Sequence, residues 1–172
     1  MNFELTDEHK LIKRTANEFA TNELLPGVVD RDRKKIWPKE QIKKMSELGF
    51  MGMMVDEQHN GGGMDTISYT IVMEEIARVD ASASVIMSVN NSLVCSILNK
   101  YGSDFQKNKY LKKLSTGNNL GAFSLSEPQS GSDASNMLTY AEKKQDIYNL
   151  SGTKNWVTNG INSDLAIVFA MT

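Results

Sequence analysis

Between residues 121 and 133 the chain reads Gly-Ala-Phe-Ser-Leu-Ser-Glu-Pro-Gln-Ser-Gly-Ser-Asp. A strand-like apolar run gives way there to a loop dense in hydroxyls and small residues, whose backbone N–H groups can turn toward a ligand. A second segment, Trp156-Val157-Thr158-Asn159-Gly160, follows after one hairpin-like stretch. Side by side, the two would offer a flat indole, two or three hydroxyl donors and a small-residue loop. That combination suits a planar cofactor with a polar edge and a phosphate tail. The competing reading makes Glu-Pro and Gly-Ser-Asp simple turns between strands and buries Trp156 in a core. Either segment alone favours the plain reading; the two together, in order and after a helical region, favour the ligand.

The other chemistry-bearing residues are better explained structurally. Gly61-Gly62-Gly63 lacks the Lys-Ser/Thr of a phosphate loop and the strand that precedes a dinucleotide fingerprint, so a flexible turn is expected. Glu74-Glu75 has no His or second carboxylate at ligand spacing and reads as a solvated helix face. His9 and His59 are isolated and expected at the surface. The cluster Arg31-Asp32-Arg33-Lys34-Lys35 reads as a solvated inter-helix turn. Met51, Met53 and Met54, among ten methionines, are expected to fill core. Cys95, the only cysteine, excludes an internal disulfide; set among Leu93, Val94, Ile97 and Leu98, it is expected to be a buried apolar residue.

These residues need a scaffold, and the first two-thirds of the chain reads as helix. Thr6 can cap a helix opening on Asp7 and Glu8, with Leu11, Ile12, Ala16, Phe19, Ala20 and Leu24 at helical spacing until Pro26. Pro38 can open a second, striped by Ile42, Met45 and Leu48 and ended by Gly49. Further helices are expected over 66–79 (Ile67, Ile71, Val72 and Ile76 inward), 82–101 (Val85, Ile86, Val89, Leu93, Ile97 and Leu98) and 104–115 (Tyr110, Leu111 and Leu114). From 119 the period becomes that of strands, expected near 120–125, 137–143, 147–150, 155–158 and 165–170, with turns at Gln145-Asp146 and Ser151-Gly152. The fold class is α+β: an N-terminal antiparallel helical bundle over 1–118, then 119–172 as part of an antiparallel β domain. The apolar run at 165–170 asks for partners that so small a sheet barely supplies.

A net charge of −2 argues against nucleic acid or a membrane surface as partner. No apolar run reaches transmembrane length, and the acidic start Met-Asn-Phe-Glu-Leu-Thr-Asp-Glu is unlike a targeting peptide. A cytoplasmic setting is expected, or the mitochondrial matrix for a eukaryotic protein.

The motifs Leu125-Ser126-Glu127-Pro128, Gly131-Ser132-Asp133 and Gly152-Thr153-Lys154-Asn155-Trp156-Val157-Thr158-Asn159-Gly160 resemble the acyl-CoA dehydrogenase family, and the resemblance runs the length of the chain. Leu48-Gly49-Phe50-Met51-Gly52 resembles it too, and Met87-Ser88-Val89-Asn90-Asn91-Ser92-Leu93 resembles its short-chain, butyryl-CoA-type branch. The resemblance implies FAD as cofactor, acyl-CoA as substrate, electron-transfer flavoprotein as electron acceptor and a homotetramer. It also implies roles: Phe123, Leu125 and Ser126 at the isoalloxazine edge, Trp156 with Val157 against the ring, Thr158 near N5, and Ser132 toward the FAD pyrophosphate and the acyl-CoA. Gln129-Ser130 and Ser126 depart mildly from the family pattern.

The family's catalytic base is a carboxylate of a C-terminal helical domain that has no counterpart here, so no catalytic residue is assigned. Glu127 belongs to the flavin motif and has no base role in the family. The full-length protein is expected to convert short-chain acyl-CoA to trans-2-enoyl-CoA, and this chain alone to be an inactive fragment binding FAD weakly or not at all. The alternatives are an oxygen-using flavoprotein of the same fold, such as an acyl-CoA oxidase or monooxygenase, or a non-enzymatic helical interaction module.

Overall fold

The computed structural model describes residues 4–172. Helix α1 spans Asp7–Phe19 and runs on through a π-helical turn, Ala20–Leu24. Thr6 caps it: its hydroxyl accepts from the His9 amide, and the His9 ring accepts from the Thr6 amide in return. The other His9 ring nitrogen lies 3.3 Å from Asp65, so His9 is a half-buried staple between two helix starts. His59 is buried, against expectation, and its carbonyl accepts a hydrogen bond from Ser115.

The cluster at residues 31–35, expected as a turn, falls instead largely within helix α2 (Val28–Lys34). Arg31 turns inward, donating to the Leu24 and Pro26 carbonyls that end the first helix and pairing with Asp80 at 3.0 Å. Cationic donors suit a helix C-terminus, and Asp80 is itself the cap of a helix, so both partners of this ion pair also satisfy helix ends. Helix α3 covers Lys39–Glu47, with Pro38 one place before its first residue. Helix α4, Thr66–Ala77, is capped by Asp65. On it Glu75 is buried, unlike the solvated face expected: it accepts from Asn17 of α1 and pairs with Arg78 and Lys13. Burial pushes its carboxyl up, but Asn17, Arg78 and Lys13 together hold it below the usual range.

Helix α5 is the spine, a 21-residue rod over Ala81–Tyr101 with a π-helical segment at Val89–Cys95. It is long and apolar enough to cross a membrane by length and composition, contrary to the sequence expectation, yet half of it is buried against the other helices. Helix α6 follows over 104–115, again π-helical at Lys107–Leu111. α1 packs on α4 and α4 on α5. The core they enclose contains Ala16, Phe19, Leu24, Met45, Met51, Met53, Val72, Ile76 and Met87. Ile12 borders it, but Leu11, Leu48, Ile67 and Val85 face out, one step off the buried stripe.

The loop 50–65 closes on itself. Gly62, Gly63 and Met64 donate to the Gly52, Val55 and Met53 carbonyls. A Cβ at Gly61 would lie 2.1 Å from the Val55 carbonyl oxygen, so the triple glycine serves close approach more than flexibility.

Four strands follow: β1 (Gly121–Ser124), β2 (Tyr140–Lys144), β3 (Ile147–Ser151) and β4 (Leu165–Val168). β2 and β3 form the expected antiparallel hairpin about Gln145-Asp146. β1 and β4 pair in parallel, which an antiparallel domain does not anticipate. The reason lies in the crossover: 40 residues of hairpin and loop bring the chain back to the start of β1, where parallel pairing is the geometry left. Asp164 fixes the register, its carboxylate accepting from the Leu120 amide and its own amide donating to the Leu120 carbonyl. The apolar run of β4 is only half served: Leu165 and Ile167 join Val94, Leu98 and Leu111 in a second cluster, while Val168 and Phe169 stay partly exposed.

Two neighbouring asparagines on the π segment bind these parts together. Asn90 donates to the Met51 and Leu114 carbonyls and accepts from the Gly121 amide at 2.9 Å. Asn91 accepts from the Met53 amide and donates to the Phe50 and Met87 carbonyls. Both are buried and every donor is used, which is what a low-dielectric interior requires of an amide. Gly121 lets β1 lie against α5: a Cβ there would sit 2.6 Å from a Val94 methyl.

Replacing Asn90 by Ala strands the Gly121 amide and two carbonyls, with an expected loss of about 3 kcal/mol in urea unfolding. Asn118→Ala, at an exposed amide, is expected to change stability by less than about 0.5 kcal/mol. Cys95 is fully buried and its thiol is pushed up to about 12. It is expected to resist a thiol reagent at pH 8 until the protein is denatured.

Candidate functional site

The segment after β1 and the segment before residue 160 meet, as their composition suggests, and the contact is polar. Glu127 lies between them with only 5 % of its surface exposed. One carboxylate oxygen accepts from the Thr139 amide at 2.9 Å and the Lys154 ammonium at 2.7 Å. The other accepts from the Leu138 amide and the Gln129 side chain, both at 2.6 Å. All four acceptor sites of the carboxylate are thus filled. Burial pushes its pKa up, but Lys154, Thr139 and Leu138 outweigh this and hold Glu127 far below the usual carboxylate range.

Lys154 also donates to the Leu125 carbonyl at 2.9 Å, and the next amide, Asn155, donates to the Ser126 carbonyl at 2.8 Å. These bonds lay Lys154-Asn155 along Leu125-Ser126. No strand forms at 155–158, because Trp156 takes a left-handed conformation with φ 58°. That is costly for a bulky residue, on the order of 1–3 kcal/mol. Asn159, at φ 66°, is buried, and its amide donates to the carbonyls of Gly121 (3.0 Å) and Ile86 (3.4 Å). The Gly160 amide closes a turn onto the Val157 carbonyl.

Of the residues singled out from sequence, Leu125, Ser126, Val157 and Thr158 are partly exposed around this junction. Phe123 packs edge-on against Phe169 and borders the second cluster. Ser132 is exposed in the bend at 131–133. Trp156 is 90 % exposed, so the competing reading of a core tryptophan fails. An open cleft of about 1070 Å³ adjoins Thr158 and Asn159, walled on its other sides by Ile36 and Trp37 and by Val85 and Ile86 of α5. Among the described residues no cluster of His, Cys, Asp and Glu could hold a metal.

The sequence reading missed the positions of Lys154 and Asn159 as fasteners, and the task of Glu127. A signal existed for Glu127 and Lys154: they are opposite charges inside the otherwise uncharged stretches 125–128 and 152–160. Asn159 left none, since its role rests on a backbone turn.

This fold and junction are shared with the acyl-CoA dehydrogenase family. The family's N-terminal domain matches residues 6–118 and its middle domain residues 122–172, and the chain belongs to that family. Within it, the chain is 43 % identical over 169 residues to the mouse short-chain specific acyl-CoA dehydrogenase, covering 98 % of this chain and 41 % of that protein. Butyryl-CoA dehydrogenase from Megasphaera elsdenii superposes with a TM-score of 0.94 at 40 % identity, over all of this chain and 46 % of that one. The FAD complex of PigA superposes with a TM-score of 0.93 at 29 % identity, over all of this chain and 45 % of that one. The chain therefore spans less than half the length of the relatives it matches.

Because Glu127 is held ionised in the fold, its contribution to stability is present above the ordinary glutamate value of 4.5 and is lost as pH falls toward its depressed folded value. The stability gap between wild type and Glu127→Gln is expected to be constant from pH 7 to about 5 and to narrow steadily below about 4.5. Urea midpoints across that range measure it.

Proposed function

We propose that this chain supplies one wall of the flavin site of a short-chain acyl-CoA dehydrogenase. The observation that carries this is the exposed Trp156, held in a strained backbone beside Leu125, Ser126 and Thr158. An indole with nothing covering it, kept there at a backbone cost, suits a planar ring that would cover it. The hydroxyls of Ser126 and Thr158 and the backbone about Leu125 would face the ring's polar edge, and Ser132, on the exposed bend, would reach the pyrophosphate and the CoA. FAD, when bound, supplies the hydride acceptor. Donors at that edge would stabilise the charge that builds as hydride arrives. Val85 and Ile86, across the cleft from Thr158, give an acyl chain an apolar surface.

The whole protein would oxidise a short-chain acyl-CoA to the trans-2-enoyl-CoA, with electron-transfer flavoprotein as acceptor and a homotetramer as assembly. The short-chain preference is supported by the mouse and Megasphaera relatives. The α-proton needs a carboxylate with a free lone pair. Glu127 is not one: four donors already hold it, and it stays ionised to low pH as a structural group. The base must come from outside the residues of this wall, and the 172-residue chain alone would be inactive and bind FAD at most weakly.

Completed to the length of its relatives, the protein is expected to purify with flavin absorbance that butyryl-CoA bleaches under anaerobic conditions, and Trp156→Ala to lower FAD affinity about tenfold. The 172-residue chain, given FAD and butyryl-CoA, is expected to show no bleaching. Stoichiometric flavin and full bleaching in that chain would overturn the assignment of the base elsewhere, and a completed protein without flavin would overturn the site.

A further inference from the structure

The reading of Trp156 and Thr158 as flavin-facing gives no task to the charged pair behind them. Lys154 stands two residues before Trp156 and donates to both Glu127 and the Leu125 carbonyl, so the ammonium of the second motif grips the first at two points. The Asn155 amide repeats the grip on Ser126. Beyond Trp156, the buried Asn159 fastens the chain to Gly121 and Ile86. Trp156-Val157-Thr158 is therefore a three-residue bridge strung between two anchors. The indole itself is 90 % exposed, so packing does little to aim it. Its direction is set by backbone, and the backbone is set by the anchors.

We propose that Glu127 and Lys154 are positioning residues for the flavin wall, holding the bridge in the left-handed conformation that presents Trp156. The carboxylate is the fixed point, since the Leu138 and Thr139 amides bind it from the stretch leading into β2. Lys154 transmits that fixity to the bridge. The inference rests on the proposed function for its purpose, but its geometry can be tested without flavin.

The chain has two tryptophans, so Trp37→Phe leaves Trp156 as the sole indole emitter. In that background of the 172-residue chain, time-resolved anisotropy reads how freely Trp156 turns. Lys154→Met is expected to raise the amplitude of its fast local motion about twofold, with far-UV circular dichroism unchanged, and Lys154→Arg to restore most of the order. If Lys154→Met does not fold, Glu127→Gln, which keeps the shape and loses the charge, decides by the same readout. Unchanged anisotropy in a folded variant overturns the proposal. In the protein completed to the length of its relatives, Lys154→Met is expected to raise the FAD dissociation constant about tenfold, with Lys154→Arg near wild type. An unchanged constant also overturns the proposal. A wild-type protein that binds no FAD overturns the flavin reading instead, while the anisotropy result still decides the clamp.

Discussion

Two buried amides, Asn90 and Asn91, are the constraint on which the rest of this molecule hangs. They sit in the middle of its longest apolar helix, where a polar side chain is costly unless each of its groups is paired. Between them they hold loop 50–53, the end of α6 and the first residue of β1. The π-helical segment at Val89–Cys95 is where both fall, and the irregular turn is what lets two adjacent side chains reach different partners. Beside this junction the helical bundle and the strands share the small Val94–Leu98–Leu111 cluster and the Asn159–Ile86 hydrogen bond.

The site follows from that placement in two stages. Asn90 fixes Gly121, which fixes the start of β1 and so the point at which the Leu125–Asp133 loop emerges. Asn159, bonding the other side of the same glycine, sets where the second motif ends. Glu127 and Lys154 then close the distance between the motifs. Ordinary local preferences give way only at the last step, where a bulky residue stands at positive φ and a large indole stands in solvent. Strain and exposure coincide at that one residue, between the anchors at Lys154 and Asn159.

The helices were legible because their signals are local: Thr6 as a cap, Gly49 after α3, and stripes such as Ile71, Val72 and Ile76. That the two motifs meet was legible because aromatic, hydroxyl and small residues recur in them in order. What escaped depends on tertiary contacts. Glu75, Arg31 and His9 look like surface residues in sequence and are drawn inward by partners distant in the chain, Asn17, Asp80 and Asp65, while His59 is buried with its carbonyl held by Ser115. The parallel β1–β4 pair could not be read from strand composition, since direction is decided by the crossover. The missing strand at 155–158 has a similar cause: Asn155 and Trp156 have β-like neighbours, but the Asn155 amide is taken by Ser126 and Trp156 turns the other way.

The central claim is that Phe123–Asp133 and Lys154–Gly160 form one surface that a flavin covers. An amide-resolved NMR titration of the 172-residue chain with FAD tests it most directly, because it detects even weak binding and reports where it occurs. The account predicts shifts concentrated at Leu125, Ser126, Ser132, Thr158 and the Trp156 indole N–H, with the helical core around Phe19 and Met45 unmoved. No shifts at millimolar FAD, or shifts gathered on α2 and α3 instead, would contradict it.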